Sequence, residues 1–417
     1  MSRIIQVEDR PPIIEMLPLS LQHLFAMFGA SVLVPIIFGI DPGIVLLMNG
    51  IGTLVFILIT KGKAPAFLGS SFAYIPPALI IINHESMGFA YALGGFIVSG
   101  FVFCFVAFII KYIGTKWIDI LLPAAAMGPV VAVIGLELAP VAIQTAGLYS
   151  SEIGINFKVA IVFFVTLATG IFGAVLFRGF AGACSILIAF FAGYLLCLVL
   201  GILDLSSLHE KAIFSIPQFQ LPKFNLQAII IILPATLVCI SEHIGHQIVT
   251  SRIVGRELLE KPGLHRTMFG DGFSTVISGL AGSVPTTTYG ENIGVMAITK
   301  VYSTWVIGGA AIFSIILAFI GKVSGAIQSI PGAVMGGVCF LLYGMIAASG
   351  IRLIVDAKVD YSKSKNLVLS SVVFTTGISG LHIHLGNVEL KGMALAACVA
   401  VVLSLVFYLF EKRNTSI

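Results

Sequence analysis

Two carboxylates within apolar stretches are the residues best suited to chemistry in this sequence. Glu242 lies four residues before His246 in CISEHIGHQIVT, a spacing that puts both side chains on one helix face. A carboxylate in hydrocarbon is costly and tends to take up a proton, so Glu242 is suited to coupling proton movement to solute binding. The alternative interpretation is a buried structural pair that holds helices together. A second such acid, Glu291, favours the functional interpretation.

The stretch around Glu291, SVPTTTYGENIGVMAITK at residues 283–300, has the features of a broken helix. Pro285 stops any helix that arrives from the N-terminal side, and the three Thr residues suit an extended backbone. Gly290 lets that backbone approach a ligand closely, and Glu291 and Asn292 then open a short helix. The unpaired N–H groups of the helix start, together with Tyr289, predict a site for a small polar solute.

A second broken stretch, GSSFAY at residues 69–74, offers backbone N–H groups, two hydroxyls and two aromatic rings. Phe72 or Tyr74 could stack on a flat ring, whereas Ser70 and Ser71 are equally well explained as small residues at a helix interface. Carboxylates accept hydrogen bonds from ring N–H groups and backbone amides donate to ring carbonyls. The two stretches together therefore suit a neutral heterocycle, and Gln22 could brace its site.

The remaining polar residues within apolar stretches have simpler explanations. His23 and His243 are expected to be hydrogen-bonded packing residues, and Tyr343 either reaches the cavity or is a satisfied polar tip. The six Cys residues show no metal-ligand spacing, so neither a disulfide nor a metal is predicted. The sequence has no GxSxG, Walker-type or HExxH motif, so we predict that the protein is not an enzyme and needs no cofactor.

Composition identifies the elements that must position these residues. The 417 residues are 58% hydrophobic and 10% charged, whereas a soluble domain has about a quarter charged residues. This predicts a multi-pass, all-α membrane protein. Twelve apolar stretches are long enough to span, and the broken stretches 66–81 and 288–299 add two more. The twelve are 17–38, 42–60, 89–111, 117–140, 157–177, 180–202, 227–250, 267–283, 302–322, 325–348, 366–382 and 392–411.

The distribution of positive charge supports fourteen spans with both termini in the cytoplasm. With that topology only five Lys residues lie outside, as the positive-inside rule requires; these are Lys158, Lys211, Lys223, Lys322 and Lys391. The first twenty residues are unlike a cleavable signal peptide because two acids and two prolines precede the apolar run. Insertion is therefore expected to use the internal spans.

Three landmarks recur in the same order in the two halves of the chain. LSLQHL at 19–24 resembles ISEHI at 240–244, each is followed by a broken stretch, and PAAAMGPV at 123–130 resembles PGAVMGGV at 331–338. The unit is a half-chain of seven spans, and an odd number of spans inverts the second copy. That is the architecture of secondary transporters whose site lies where two discontinuous helices meet. A hydrophilic connector at about 203–226 is predicted to join the halves.

The segment ENIGVMAITK at 291–300 resembles the signature of the nucleobase–ascorbate transporters, the nucleobase:cation symporter-2 family. All specified positions are filled, by Glu291, Asn292, Gly294, Thr299 and Lys300. The resemblance extends over the whole chain through SLQHLFAMFGA at 20–30, GSSFAY, AVIGLELA at 132–139 and SEHIGH at 241–246. Because the signature begins with Glu, the chain is similar to the bacterial uracil permeases of that family.

The resemblance implies a fold of fourteen spans in two inverted repeats, with short antiparallel strands in spans 3 and 10. It implies a core domain at 1–112 and 227–322, a gate domain at 113–204 and 323–417, and an external connector at 205–226. It further implies proton-coupled uracil import across the inner membrane by alternating access. The expected partners are uracil, H⁺, membrane lipid and a second copy bound through the gate domain, with no nucleic acid.

The resemblance also implies roles for the site residues. Glu242 and Glu291 would hold uracil, with the backbone N–H groups of Phe72 and Gly290 on its carbonyls. His246 would assist Glu242 in proton coupling, Tyr289 would line the pocket, and Ser71 and Asn292 would brace the two strands. One alternative is a purine or xanthine symporter, which more often has Gln at position 291. Another is an anion exchanger, which is expected to have a basic or neutral site.

Overall fold

The computed structural model describes residues 4–149, 156–385 and 388–414, and most of them are helical. The first half contains α1 (Ile13–Phe38), α2 (Pro42–Ile59), β1 (Leu68–Ser70), a 3-10 turn (Phe72–Tyr74), α3 (Ile75–Ile82), α4 (Phe89–Ile113), α5 (Lys116–Leu121), α6 (Ala124–Thr145), α7 (Phe157–Leu176), α8 (Phe180–Ala183), α9 (Ser185–Val199) and α10 (Ser206–Glu210). The second half contains α11 (Leu226–Val254), α12 (Leu264–Ala281), β2 (Thr286–Thr288), α13 (Gly290–Thr299), α14 (Thr304–Ala318), α15 (Gly321–Gln328), α16 (Gly332–Asp356), α17 (Ser364–Ile378), β3 (His382–Leu385), β4 (Val388–Lys391) and α18 (Gly392–Asn414).

Within the described residues, eight helices are long and apolar enough to cross a membrane; these are α1, α2, α4, α6, α7, α11, α16 and α18. Three predicted spans correspond to α9, α14 and α17, which have 15 residues each. A fourth corresponds to α12, which has 18 residues but buries many polar ones, among them Asp271. The chain is thus a multi-pass membrane protein, and the count of fourteen spans remains a prediction.

The stretches predicted as spans at 117–140 and 325–348 are not continuous helices, because each contains a break and its long helix begins later than predicted. Pro123 and Pro331 each precede the first residue of a long helix, α6 or α16, and each follows a short helix, α5 or α15. Proline lacks the N–H that would continue the helix before it, and its ring disfavours the helical conformation of the preceding residue. The helix therefore restarts at the proline in both halves of the chain.

The helices pack as two groups. In the first group α4 packs against α11 and α12, and α14 packs against α1 and α2; in the second, α6 packs against α16, α17 and α18, and α7 packs against α9 and α16. Glycines allow the closest approaches: a Cβ at Gly100 would lie 2.7 Å from the Gly272 carbonyl oxygen, and one at Gly135 would lie 2.1 Å from that of Tyr343. These contacts leave no room for a side chain.

Sequence analysis missed a β-hairpin between α17 and α18. Antiparallel strands β3 and β4 pair His382 with Lys391, and a hydrogen bond joins the His382 and Glu389 side chains. The hairpin leads into α18, where the Met393 N–H donates to Glu137 Oε2 on α6 at 2.8 Å. Glu137 therefore satisfies one of the N–H groups at the start of α18.

Candidate functional site

The two broken stretches meet as a short antiparallel ladder. Leu68, Gly69 and Ser70 of β1 lie opposite Thr288, Thr287 and Thr286 of β2, and all six residues are buried. Two more hydrogen bonds extend the ladder, from the Ser71 N–H to the Pro285 carbonyl at 2.9 Å and from the Tyr289 N–H to the Phe67 carbonyl at 3.0 Å. The antiparallel strands implied by the resemblance are therefore present.

Each strand leads into a helix, so two helix N-termini lie beside the ladder. The 3-10 turn that starts at Phe72 follows β1, and α13, which starts at Gly290, follows β2. The first N–H groups of a helix have no partner within it and carry the positive end of its dipole. Both helix starts therefore present backbone N–H groups beside the ladder.

Hydroxyl groups of two neighbouring helices hold the ladder in place. Thr53 of α2 accepts from the Leu68 N–H at 2.9 Å and donates to its carbonyl at 3.3 Å. Thr275 of α12 does the same for Thr286, at 3.2 Å and 3.1 Å. A single hydroxyl thus satisfies both backbone groups of one residue on the outer edge of each strand, where they would otherwise be unpaired.

Helix α11 runs along the whole ladder and places Glu242 between its ends. At one end, the Ser71 hydroxyl lies 3.0 Å from Cys239 Sγ. At the other, His246 Nδ1 lies 3.0 Å from the Thr288 hydroxyl. These two helix positions are about 10 Å apart, the length of three strand residues, so the stretch of α11 that contains Glu242 lies beside the middle of the ladder.

The residues predicted to contact a solute, apart from Tyr289, are half-buried or exposed although the elements that carry them are deep in the fold. Phe72, Glu242, His246 and Glu291 are half-buried and Gly290 is exposed. Glu242 makes no hydrogen bond within the described residues, and Glu291 lies in the first turn of α13, which packs against α11. The polar side chains beside the ladder are therefore partly accessible.

Tyr289 follows β2, and its side chain is fixed by contacts with β1, α1 and α2. Its ring lies against Gly69, where a Cβ would come within 2.2 Å of the ring. Its hydroxyl accepts from the Ser31 hydroxyl at 3.4 Å, and Ser31 accepts from the Asn49 amide at 3.1 Å. Tyr289 is buried and reaches α1 and α2 through this chain of hydrogen bonds.

Other residues considered for the site contact neighbouring helices instead. Asn292 donates to the His23 carbonyl at 3.0 Å, so its amide contacts α1 and not β1, while Gln22, next to His23, is half-buried. Tyr74 is buried and its hydroxyl bonds to Ser99, which excludes the stacking role that sequence analysis considered for it. Tyr343 is also buried, and its hydroxyl has no partner among the described residues.

Sequence analysis missed Asp271, which is buried in α12. One of its carboxylate oxygens lies 2.8 Å from His243 Nδ1, and neither side chain is exposed to solvent. The pair fixes α12 to α11 one residue from Glu242, and it shows that His243 is a packing histidine. An acid between two glycines inside a predicted span, Gly270-Asp271-Gly272, was the available signal.

The fold is shared with solved membrane proteins. The transmembrane domain of the cyanobacterial bicarbonate transporter BicA matches with a TM-score of 0.65 at 15% identity, over 96% of this chain and 100% of BicA's. The murine anion transporter Slc26a9 in its inward-facing state matches with a TM-score of 0.71 at 10% identity, over 97% of this chain and 69% of its own. At these identities the likeness shows the fold alone.

Sequence comparison identifies the family. The model of a group described as "Permease family" matches residues 14–386. The uracil permease of Escherichia coli K12 is 56% identical over 410 residues, which are 98% of this chain and 95% of that protein. The uracil permease of Bacillus subtilis is 44% identical over 412 residues, 96% of this chain and 94% of that protein. The chain belongs to this permease family, which confirms the resemblance seen in its signature segment. Membership of the family shows that the protein is a membrane transporter and not an enzyme.

Proposed function

We propose that this protein imports uracil across the cytoplasmic membrane together with protons. The observation that carries the proposal is the pair of half-buried carboxylates, Glu242 and Glu291, on the packed helices α11 and α13 beside the helix starts that follow β1 and β2. In our proposal these groups line one cavity. Relatives that cover nearly the whole chain are named uracil permeases, which supports the choice of substrate.

The cavity contains groups that complement the edges of a uracil ring. Glu242 and Glu291 accept hydrogen bonds from the ring N–H groups, and the backbone N–H groups of Phe72 and Gly290 donate to the ring carbonyls. The aromatic ring of Tyr289 forms a flat wall, which suits a planar heterocycle. Ser71, Asn292 and Gln22 support the site indirectly, because they hold β1, α13 and α1 in position.

Glu242 and His246 couple transport to protons. Glu242 takes up a proton from the outside, which removes a charge from the cavity and lets uracil bind. His246 is fixed by Thr288, so the coupling face of α11 stays aligned with β2. The first group of helices then moves against the second and opens the site to the cytoplasm. Glu242 loses its proton there and uracil is released, which completes one cycle of alternating access.

We further propose fourteen spans in two inverted repeats, with both termini in the cytoplasm. The order of elements supports this: each half has two helices, a strand followed by a helix start, and a long helix that begins after a short helix and a proline. The first packing group corresponds to a core domain at 1–112 and 227–322, and the second to a gate domain at 113–204 and 323–417. The gate domain is also the proposed surface for a homodimer.

Uptake of labelled uracil into proteoliposomes tests the proposal. An inward proton gradient should drive accumulation in the wild type, Glu291→Ala should abolish it, and Glu210→Ala, at an exposed acid of the connector, should leave it unchanged. Glu242→Gln, which mimics the protonated carboxyl, should retain uracil binding but lose the dependence of uptake on pH.

The same vesicles separate the alternatives. If labelled xanthine enters the vesicles and labelled uracil does not, the substrate is a purine. Chloride exchange that needs no proton gradient would favour an anion exchanger. Unchanged pH-dependent uptake by Glu242→Gln would remove Glu242 from the coupling role.

A further inference from the structure

The segment that joins the two halves of the chain exposes an apolar surface that its composition did not suggest. Sequence analysis described residues 203–226 as hydrophilic, yet seven of the fourteen residues from 213 to 226 are large apolar residues that are each more than half exposed. We call them the connector row: Ile213, Phe214, Ile216, Phe219, Leu221, Phe224 and Leu226. A contiguous apolar surface of this kind marks contact with lipid or protein.

The backbone of the connector is attached to the ends of membrane helices, so its apolar side chains point away from the fold. Four hydrogen bonds make the attachment: Gly321 N–H to the Ile213 carbonyl at 2.8 Å, Ser215 N–H to the Phe319 carbonyl at 3.0 Å, Gln218 N–H to Asp41 Oδ2 at 2.9 Å, and Lys223 N–H to the Ala90 carbonyl at 2.8 Å. These partners lie at the start of α2 and α4 and just after the end of α14.

The opposite ends of two of these helices show how deep the connector lies. The N-terminal segment binds there: the Thr304 N–H at the start of α14 donates to the Val7 carbonyl at 3.0 Å. The Thr304 hydroxyl also lies 3.3 Å from the carbonyl oxygen of Gly62, just after α2. Helix α2, with 18 residues, is about 27 Å long, close to the thickness of a hydrocarbon core. The two segments therefore lie at opposite boundaries of the hydrocarbon.

The connector row also continues the apolar outer surface of the helices that it joins. Ile316 and Phe319 on and just after α14 are exposed, as is Leu280 in the last turn of α12. Residues of the connector contact both places, because Phe214 forms a bridge with Ile320 and Gln220 lies against Gly282. The row is thus the rim of a surface that faces lipid, which argues for lipid as its partner.

We propose that the connector row is an interfacial anchor that inserts between the headgroups and acyl chains of one leaflet. Aromatic and aliphatic side chains on a hydrogen-bonded backbone suit that boundary, where apolar groups are buried and the backbone remains satisfied. Lys223 fits the same position, because its ammonium lies over the Tyr91 ring at 5.6 Å. With cytoplasmic termini, this is the outer leaflet. The proposal does not depend on the transported substrate.

Depth-dependent fluorescence quenching tests the anchor. Both native tryptophans are changed to Phe, and a single reporter is introduced as Phe219→Trp or, in a second variant, Phe214→Trp. The protein is reconstituted with lipids brominated near the headgroup or near the chain end. We expect shallow bromines to quench the reporter at least twofold more than deep ones. His209→Trp, on the exposed polar helix α10, should respond to aqueous acrylamide and hardly to either lipid.

Two results would overturn the anchor. If the reporters at 214 and 219 respond like the one at 209, the row faces water. If neither quencher reaches them and a cysteine at 219 cross-links two copies, a second protein molecule covers the row. Monodisperse gel filtration of each variant shows that the reporter has not unfolded the protein.

Discussion

The contact between Gly69 and Tyr289 leads to the most direct prediction about the site. A Cβ at position 69 would lie 2.2, 2.3 and 2.8 Å from three carbons of the Tyr289 ring, whereas carbon atoms in contact are about 3.5–4 Å apart. In Gly69→Ala the ring must therefore retreat by more than about 1 Å. Overpacking of a buried position typically costs about 1–3 kcal/mol, which corresponds to roughly 5- to 150-fold in an equilibrium constant.

We expect Gly69→Ala to lower the thermal unfolding midpoint. It should also weaken uracil binding by a factor within the range of roughly 5- to 150-fold. The matched control is Gly308→Ala on α14, where the nearest atom to the new Cβ would be 3.7 Å away and no strain arises. Unfolding is followed by fluorescence in detergent, and binding by isothermal titration calorimetry.

A double-mutant cycle decides whether the Tyr289 ring is the cause. Tyr289→Ala removes the ring, so adding Gly69→Ala to it should produce no further loss of stability. If Gly69→Ala lowers the midpoint equally with and without the ring, or not at all, the packing of β1 against Tyr289 described above is incorrect.

Three further perturbations follow from individual hydrogen bonds. Asp271→Ala leaves the buried His243 without its partner, so the free energy of unfolding should fall by about 1–3 kcal/mol, measured as a lower unfolding midpoint. Thr288→Val removes the hydroxyl that holds His246, and should weaken uracil binding by roughly fivefold in calorimetry. The Arg256 guanidinium, on the loop between α11 and α12, donates to the Glu8 carboxylate and holds the pKa of Glu8 below its ordinary value, so the ionised form stabilises the N-terminal segment above that value. That stabilisation, less than about 1 kcal/mol because both side chains are partly exposed, should disappear as pH falls through the folded pKa; limited proteolysis of wild type and Glu8→Gln measures it.

Controls for these variants lie elsewhere in the chain. Asp204→Ala removes an exposed acid and should not change the unfolding midpoint, and Thr169→Val on the exposed face of α7 should not change binding. A wild-type midpoint in Asp271→Ala would mean that the buried pair contributes nothing. Wild-type affinity in Thr288→Val would show that His246 is positioned by other contacts. If wild type and Glu8→Gln are cleaved equally at pH 6, Arg256 does not stabilise the N-terminal segment through Glu8.

Local rules explain what the sequence predicted well. Pro285 has no N–H to continue a helix and Gly290 allows a close backbone approach, so the break beside Glu291 was predicted from residue type and from the neighbouring Thr residues. The i, i+4 spacing of Glu242 and His246 likewise puts both on one face of α11, independently of what surrounds that helix. The pairing of β1 with β2 was implied by the family resemblance, because strands more than two hundred residues apart leave no local pattern.

Composition and spacing by themselves therefore determined the class of protein, the two broken stretches and the acids most suited to a site. The tertiary structure decided which polar groups meet. It paired Asp271 with His243, directed Asn292 to α1, buried Tyr74 against α4 and left the apolar side chains of the connector exposed. The physical reason is that burial and hydrogen-bond partners depend on the neighbours that packing brings together. Helix breaks and helix faces depend only on residues a few positions apart.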